Sequence, residues 1–92
     1  MLDPGPLTLK PIRFTRHARE KLRQLQMAGF NVQEDIVVMS IRSPERKEIG
    51  YAGRLVVQAP LDDDHVLRVV YEEDQVITVV TLYPGRRERY EG

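Results

Sequence analysis

The stretch from Val66 to Tyr83 decides the fold; it consists of VLRVVY, then EEDQ, then VITVVTLY. Both outer segments are rich in β-branched and aromatic residues, which favour strands, and the acidic segment between them is short enough to be a turn. The pattern therefore predicts an antiparallel β-hairpin. Each apolar side chain in it contributes roughly 1.5–3 kcal/mol when fully buried. We therefore expect the hairpin to lie in the middle of a sheet and to supply much of the core.

The pairing register of this hairpin decides which side chains share a face. If the chain turns at Glu73–Asp74, residues whose numbers add up to 147 face each other. One face then carries Val66, Arg68, Val70, Glu72, Gln75, Ile77, Val79, Thr81 and Tyr83. The other carries Leu67, Val69, Tyr71, Val76, Thr78, Val80 and Leu82. The second face is more apolar and is expected to meet the helices, which leaves the first face more open. A turn longer by one residue would change this pairing.

The first half of the chain predicts one strand and one clear helix. Leu7–Phe14 alternates like a short strand, and Pro11 would keep it at the edge of a sheet. Thr15 is a suitable N-cap for an amphipathic helix over Arg16–Ala28, and Gly29 is a suitable residue to end it.

A second, shorter helix and a further strand follow. Asn31–Glu34 resembles a capping box, which predicts a helix from Val32 that stops at Ser43–Pro44. The charged residues Glu45–Glu48 are expected to form a solvated connection. A further strand is predicted most clearly at Leu55–Gln58. Gly50 and Gly53 interrupt the segment before it, so we expect a bulge at these glycines or a late start of the strand.

The predicted architecture is a single α+β domain spanning residues 1–92. Its order is β-α-α-β-β-β, with an antiparallel sheet of three to four strands and two N-terminal helices packed on one face. Leu61–Asp64 forms a turn, and Pro84–Gly85 closes the last strand. Residues 1–6 are expected to be a flexible lead-in, and residues 86–92 form an Arg-rich tail.

Composition excludes several classes of function. Ninety-two residues hold one modest core, so a deep catalytic cleft is not expected. Because the chain has no cysteine, it has no disulfide, no thiolate nucleophile and no Cys-type zinc site, and a reducing cytoplasm is the expected location. No signal peptide or membrane span is predicted. His65 follows three aspartates, but their spacing matches no known metal loop, so no metal or cofactor is predicted.

Charge is sorted along the chain. Residues 1–47 hold nine Lys or Arg and five acids, whereas residues 48–92 hold five and nine, although the whole chain is neutral. The basic residues of the first half can bind phosphate. They can equally form a solvated helix face with Glu20 as an ion-pair partner. The candidate RNA-binding residues are Arg16, Arg19, Lys21, Arg86 and Arg87.

Two segments together carry a family resemblance. FTRHAREKL, residues 14–22, opens the first helix, and LRVVY, residues 67–71, with ITVVTLYP, residues 77–84, forms the hairpin. The chain resembles small uncharacterised bacterial and phage domains that are grouped with RelE-like and BrnT-like toxins, over roughly residues 8–90. The resemblance implies an antiparallel sheet with two helices on one face. It also implies a metal-free endoribonuclease, or a toxin that a cognate antitoxin protein neutralises.

The residues needed for such chemistry are present. Cleaving RNA without a metal requires a base near the 2′-hydroxyl, an acid near the leaving 5′-oxygen and cations around the phosphorane. The candidate catalytic residues are His17, Arg68, Tyr83 and Tyr90. Each has a structural alternative: Arg68 can pair with a cross-strand acid such as Glu72, the tyrosines can cover a core edge, and His17 can fix the helix against the sheet.

Two hypotheses for the function follow. In the first, the protein is a ribonuclease-like toxin whose partners are RNA or the ribosome and an antitoxin. In the second, it is a non-catalytic module that binds a protein through the open sheet face or by strand addition to an edge strand such as Leu55–Gln58. A neighbouring reading frame for a small acidic protein would favour the first. The sequence predicts neither the partner nor the oligomeric state.

Overall fold

The protein was analysed as a computed structural model that describes residues 9–90. The predicted lead-in of residues 1–6 therefore lies outside the described residues. The elements are β1 (Ile12–Phe14), α1 (Arg16–Met27), α2 (Glu34–Arg42), β2 (Arg46–Ile49), β3 (Leu55–Pro60), β4 (His65–Glu73), β5 (Ile77–Arg86) and the single helical turn α3 (Arg87–Tyr90).

Helix α1 forms as its local sequence predicts. The Thr15 hydroxyl accepts a hydrogen bond from the Ala18 N–H at 3.0 Å, which satisfies one of the unpaired donors at the helix start. The buried stripe is Ala18, Leu22 and Leu25. The helix ends one residue earlier than expected, and Gly29 then adopts a left-handed φ of +101°. Glycine suits this position because it has no Cβ to clash there.

Helix α2 begins later than the capping-box prediction. It starts at Glu34 after Gln33, and no side chain caps it. The prediction of a start at Val32 is wrong because Val32 belongs to the preceding loop. Its side chain is fully buried, and its carbonyl accepts a hydrogen bond from the Gln26 side chain at 2.8 Å. The predicted stop before Pro44 is confirmed, since α2 ends at Arg42.

The sheet has five strands in the order β1-β5-β4-β3-β2. The α+β class is confirmed, and the hairpin β4-β5 lies inside the sheet. The prediction of a purely antiparallel sheet of three to four strands is wrong, because β1 pairs with β5 in parallel, with Ile12 opposite Ile77. Parallel pairing requires a long connection, which the intervening elements from α1 to β4 provide.

The expected solvated connection Glu45–Glu48 is largely strand β2. It pairs antiparallel with β3, with Arg46 opposite Gln58 and Ile49 opposite Leu55. The charged residues were interpreted as a solvated connection, but charged side chains also suit an edge strand, where they discourage pairing with a further strand. The interruption at the two glycines is a 3₁₀ turn, Tyr51–Gly53, that joins β2 to β3. Leu55–Gln58 is therefore an internal strand and is not available for strand addition.

The predicted hairpin register is also wrong. Glu73 pairs with Ile77, and Arg68 pairs with Tyr83, because the turn takes up Asp74, Gln75 and Val76. The register shifts again between Val70 and Tyr71, where Val80 is an extra, bulged residue of β5.

This register moves two β5 side chains into the core. Ile77 and Val79 are buried with Leu82 beneath the helices, where the alternation had placed Thr78 and Val80. The core under the helices consists of Ala18, Leu22, Leu25, Val32, Val37, Ile41, Val57, Leu67, Val69, Tyr71, Ile77, Val79 and Leu82. The opposite face of the sheet, which carries Gln58, Arg68 and Tyr83, is called the outer face below.

Strand β5 does not stop at Pro84–Gly85 but continues to Arg86. Because β1 pairs only with Ile77–Val79, the rest of β5 has a strand neighbour on one side only. Proline is tolerated at such an edge position since no N–H is needed there. Among residues 9–90, neither long helix has the length and apolar character needed to cross a membrane.

Candidate functional site on the outer face

Four strands align polar side chains in one row across the outer face. The registers place Arg46 of β2 opposite Gln58 of β3, Gln58 opposite Arg68 of β4, and Arg68 opposite Tyr83 of β5. Glu48 lies two residues along β2 from Arg46 and therefore shares its face. We call Glu48, Gln58, Arg68, Tyr83 and Tyr90 the Arg68 cluster.

The Arg68 guanidinium is the hub of this cluster. Its Nη1 donates to Gln58 Oε1 at 2.8 Å and to Glu48 Oε2 at 3.2 Å. Its Nε donates to the Tyr83 hydroxyl at 3.5 Å, which is a long and weak hydrogen bond. The Arg68 residue is only 7% exposed. An arginine this buried is expected to be paired, and it is.

Tyr90 covers the hub from the C-terminal turn α3. The Arg68 Cζ lies 4.3 Å from the centroid of the Tyr90 ring, which is a cation–π contact. The Tyr90 carbonyl accepts from Arg46 Nη1 at 2.6 Å and from Gln58 Nε2 at 3.4 Å. The ring also lies against Gly85, where a Cβ atom would overlap it. Tyr90 therefore folds the end of the described chain over the outer face.

The charges of the cluster reinforce one another. The hydrogen bond from Arg68 lowers the pKa of Glu48 below its usual value, and the charges of Arg68 and Arg46 act in the same direction against partial burial. Burial disfavours the charged form of Arg68, but the bonds with Tyr83 and Glu48 outweigh it and raise the pKa of Arg68. Glu48 is therefore ionised at neutral pH beside a permanent cation.

This arrangement supplies three chemical capacities at one place. A carboxylate can accept a proton, a guanidinium can bind phosphate oxygens, and a phenol can donate a proton. The side chains of Glu48 and of its neighbour Arg46 are 41% and 45% exposed, so the cluster is open to solvent at the β2 side. Within residues 9–90 every buried side-chain nitrogen or oxygen has a hydrogen-bond partner.

Of the predicted catalytic residues, the structure brings Arg68, Tyr83 and Tyr90 together. His17 lies apart from them, in the first turn of α1, and its Nε2 is 3.1 Å from the Thr81 hydroxyl. Thr81 precedes Tyr83 by two residues on β5, which is about 7 Å along a strand. His17 thus lies beyond one end of the cluster, beside the β5 edge, and it is exposed.

The predicted RNA-binding residues do not form one surface. Arg19 of α1 pairs with Glu34 at 2.7 Å and lies over the Phe14 ring. Arg87 holds the turn before β4, because its Nη2 donates to the Asp62 carbonyl at 3.1 Å. Exposed Arg16 and half-buried Lys21 lie on α1, and exposed Arg86 lies at the end of β5.

The sequence analysis missed Glu48, Gln58 and Arg46 as members of a site. Glu48 and Arg46 fell in the segment interpreted as a solvated connection. The available signal was the alternation of Arg46 and Glu48 just before the Gly50 turn, which suits the edge strand of a hairpin. Without the β2–β3 register, nothing linked these residues to Arg68.

His65 and the aspartates before it form a turn rather than a metal site. His65 Nδ1 is 2.9 Å from Asp62 Oδ1, and this bond, together with the Asp64 N–H, lowers the pKa of Asp62. Among the described residues no group of three or more His, Cys, Asp or Glu side chains is placed to hold a metal ion.

Comparison of the chain with protein-family models, curated proteins and solved structures found no match. The resemblance to RelE-like and BrnT-like toxins therefore stays a prediction, and the functional argument depends on the geometry of the Arg68 cluster.

Proposed function

We propose that the protein is a metal-independent endoribonuclease whose active site is the Arg68 cluster. The observation that supports this most is the contact of a carboxylate, a guanidinium and a phenol on the sheet face opposite α1 and α2. These are the groups that cleavage of RNA requires when no metal takes part.

Each group has a defined role in the proposed reaction. Glu48 removes the proton of the 2′-hydroxyl, whose oxygen then attacks the adjacent phosphorus. Arg68 stabilises the negative charge that develops on the phosphorane. Tyr83 gives its proton to the 5′-oxygen as the bond from phosphorus to that oxygen breaks, which leaves a 2′,3′-cyclic phosphate. Tyr90, stacked on Arg68, is placed to stack on a base of the RNA.

The toxin hypothesis adds two partners to this proposal. The substrate is RNA, alone or on the ribosome, and a cognate antitoxin protein would inhibit the enzyme. The charge of Arg46, 3.5 Å from Glu48 at the exposed end of the cluster, supports entry of a polyanion there.

The test is expression in a bacterial host, with total RNA examined by primer extension, for wild type, Glu48→Gln and Tyr83→Phe. We expect wild type to arrest growth and cut RNA, and each variant to lose about 10²–10⁴-fold in cleavage, the usual contribution of a general base or acid. Lys47→Ala is the matched control, because Lys47 neighbours Glu48 on β2 and points to the opposite face. A wild type that leaves RNA and growth intact in the absence of an antitoxin contradicts the proposal.

The interaction-module hypothesis remains as a second candidate, with a corrected location. Strand β2 forms the edge of the described sheet next to β3. Its last residue, Ile49, is 80% exposed, and Tyr51, two residues later, is 90% exposed. Such apolar residues at a strand edge favour protein binding. A protein partner whose binding is lost in Ile49→Asp but kept in Glu48→Gln would favour this candidate.

A further inference from the structure

Helix α2 is apolar on two opposite sides, although the fold buries only one of them. Val37, Ser40 and Ile41 are buried against the sheet, and α2 contacts β3 and β4 through this side. On the other side Met39 is 62% exposed, next to half-buried Val38. A helix with apolar residues on both sides is typical of one that is covered on both sides.

The exposed side of α2 carries a charge of opposite sign at each end. Asp35, Val38, Met39 and Arg42 follow the i, i+3, i+4, i+7 spacing of one helix face, and together with Ser43 they line one shallow, mostly apolar depression. We call Asp35, Val38, Met39 and Arg42 the α2 patch. Among residues 9–90, neither charged member forms an ion pair: Asp35 accepts from the Ile36 N–H at 2.8 Å, and Arg42 donates to the Lys10 carbonyl at 3.1 Å.

This pattern is complementary to itself. If two α2 helices pack antiparallel about a two-fold axis near Val38 and Met39, Asp35 of each copy meets Arg42 of the other. The charges lie about 10 Å apart along the helix, since each residue rises 1.5 Å, and the two apolar pairs fill the space between them. A two-fold interface needs such a self-complementary patch, because the same residues occur on both sides.

We propose that the α2 patch is the interface of a homodimer, and that its occupant is a second copy of this chain. The two crossed Asp35–Arg42 pairs fix the antiparallel register, and Val38 and Met39 supply the apolar centre. The patch lies on the helix side of the sheet, so dimerisation leaves the outer face and the Arg68 cluster uncovered.

The dimer is expected to be weak. One short helix pair buries less surface than the ~1,200–2,000 Å² of a stable interface, so association is expected between about 1 μM and 1 mM protein. Sedimentation equilibrium over that range measures it directly. We expect the wild-type mass to rise from one chain to two with concentration. A wild type that stays at the mass of one chain throughout overturns the proposal.

One substitution tests the apolar centre of the interface, and a second serves as its control. Met39→Asp should raise the dimer Kd by at least ~10-fold, because it places a charge in the middle of the interface. Met27→Asp makes the same change at an exposed position of α1 outside the patch and should leave the Kd unchanged. Equal dimerisation of Met39→Asp and wild type overturns the proposal. Circular dichroism confirms that both variants are folded.

A charge exchange tests the register and distinguishes this dimer from other associations. Asp35→Arg alone and Arg42→Asp alone each place like charges together and should be monomeric. An equimolar mixture of the two variants restores both pairs and should form the heterodimer, as should the double variant with itself. Failure of the mixture to associate overturns the proposal. If the wild type is monomeric and Met39→Asp only abolishes binding of a different protein, the patch has another occupant and the dimer proposal is wrong.

Discussion

Arg68 is the residue on which the outer face is built. It contacts side chains from β2, β3, β5 and α3, so its removal would leave several polar groups without their partner. Removing one member of a buried charged network generally costs more free energy than the intact network contributes, because the remaining groups stay buried without a partner.

The charge of Glu48 stabilises the folded protein at neutral pH, and this contribution is lost in acid. Its pKa is lowered in the folded state from 4.5, so the contribution is complete above about pH 4.5 and is lost as pH falls through the folded value. We expect Glu48→Gln to lower the Tm at pH 7, and the difference from wild type to shrink as the pH falls below 4.5. Thermal melts across pH 3–7 measure this.

The control for that series is Glu20→Gln, which changes an exposed carboxylate on α1. It should leave the Tm profile almost unchanged. A difference between Glu48→Gln and wild type that stays constant from pH 7 to pH 3 would show that the Arg68 bond does not depend on the Glu48 charge.

At the scale of elements, α3 is attached at both ends: Arg87 bonds to the turn before β4, and Tyr90 packs on the outer face of the sheet. None of its residues belongs to the core under the helices, and Tyr90 docks where Gly85 leaves room for the ring. A side chain at position 85 would therefore displace the Tyr90 end of α3 and have little effect on the rest of the fold.

We predict that Gly85→Ala displaces the Tyr90 ring from the sheet and lowers the free energy of unfolding by about 1–3 kcal/mol, the usual effect of overpacking. In a Tyr90→Ala background the same change should have a much smaller effect, since the ring it overlaps is gone. Urea denaturation of the four proteins in this double-mutant cycle measures the coupling. Strictly additive effects would mean that the Tyr90 ring does not pack on Gly85.

Elements differ in how well the sequence predicts them. For α1, the Thr15 cap, the apolar spacing and Gly29 all lie within the helix or next to it, so local information was sufficient. For β2, the charged residues have low strand propensity, and only pairing with β3 makes them a strand. The predicted register paired Arg68 with Val79 instead of Tyr83, because neither the three-residue turn nor the bulge at Val80 has a local sequence signal.

The site was predictable to the same extent. Arg68 and Tyr83 were assigned to one open face despite the wrong register. The numbers of paired residues add up to 147 in the predicted register and to 151 at the observed Arg68–Tyr83 pair. Both sums are odd, so in either register an even-numbered residue of β4 shares its face with an odd-numbered residue of this part of β5. Glu48 could not be assigned because its position depends on two strand pairings outside the hairpin. The sequence thus identified the hairpin side of the cluster and missed the β2 side.

At the scale of the whole molecule, the sheet is most stable at its centre and least at its edges. Strand β4 has a neighbour on both sides, and Leu67 and Val69 in it are fully buried. No residue of β2 is buried. Edge segments with few buried side chains open locally, whereas central strands open only with the whole domain.

We therefore predict that backbone amides of Arg46–Ile49 that bond to β3 exchange with solvent far faster than the paired amides of β4. Native-state hydrogen exchange by NMR, with added low urea, separates local from global opening. Equal protection in β2 and β4 would show that the sheet opens as one unit. Local opening of β2 would carry Glu48 away from Arg68 without unfolding the core.

The bulge at Val80 also limits how the chain can evolve. On each side of it the strand keeps the strict alternation of inward and outward residues, and the extra residue reverses the phase between them. Deleting one residue there would turn Leu82 away from the core and point Tyr83 into it. Insertions and deletions should accordingly be tolerated in the turns at Asp62–Asp64 and Asp74–Val76, while the length of β5 between Val79 and Leu82 stays constant among descendants of this sequence.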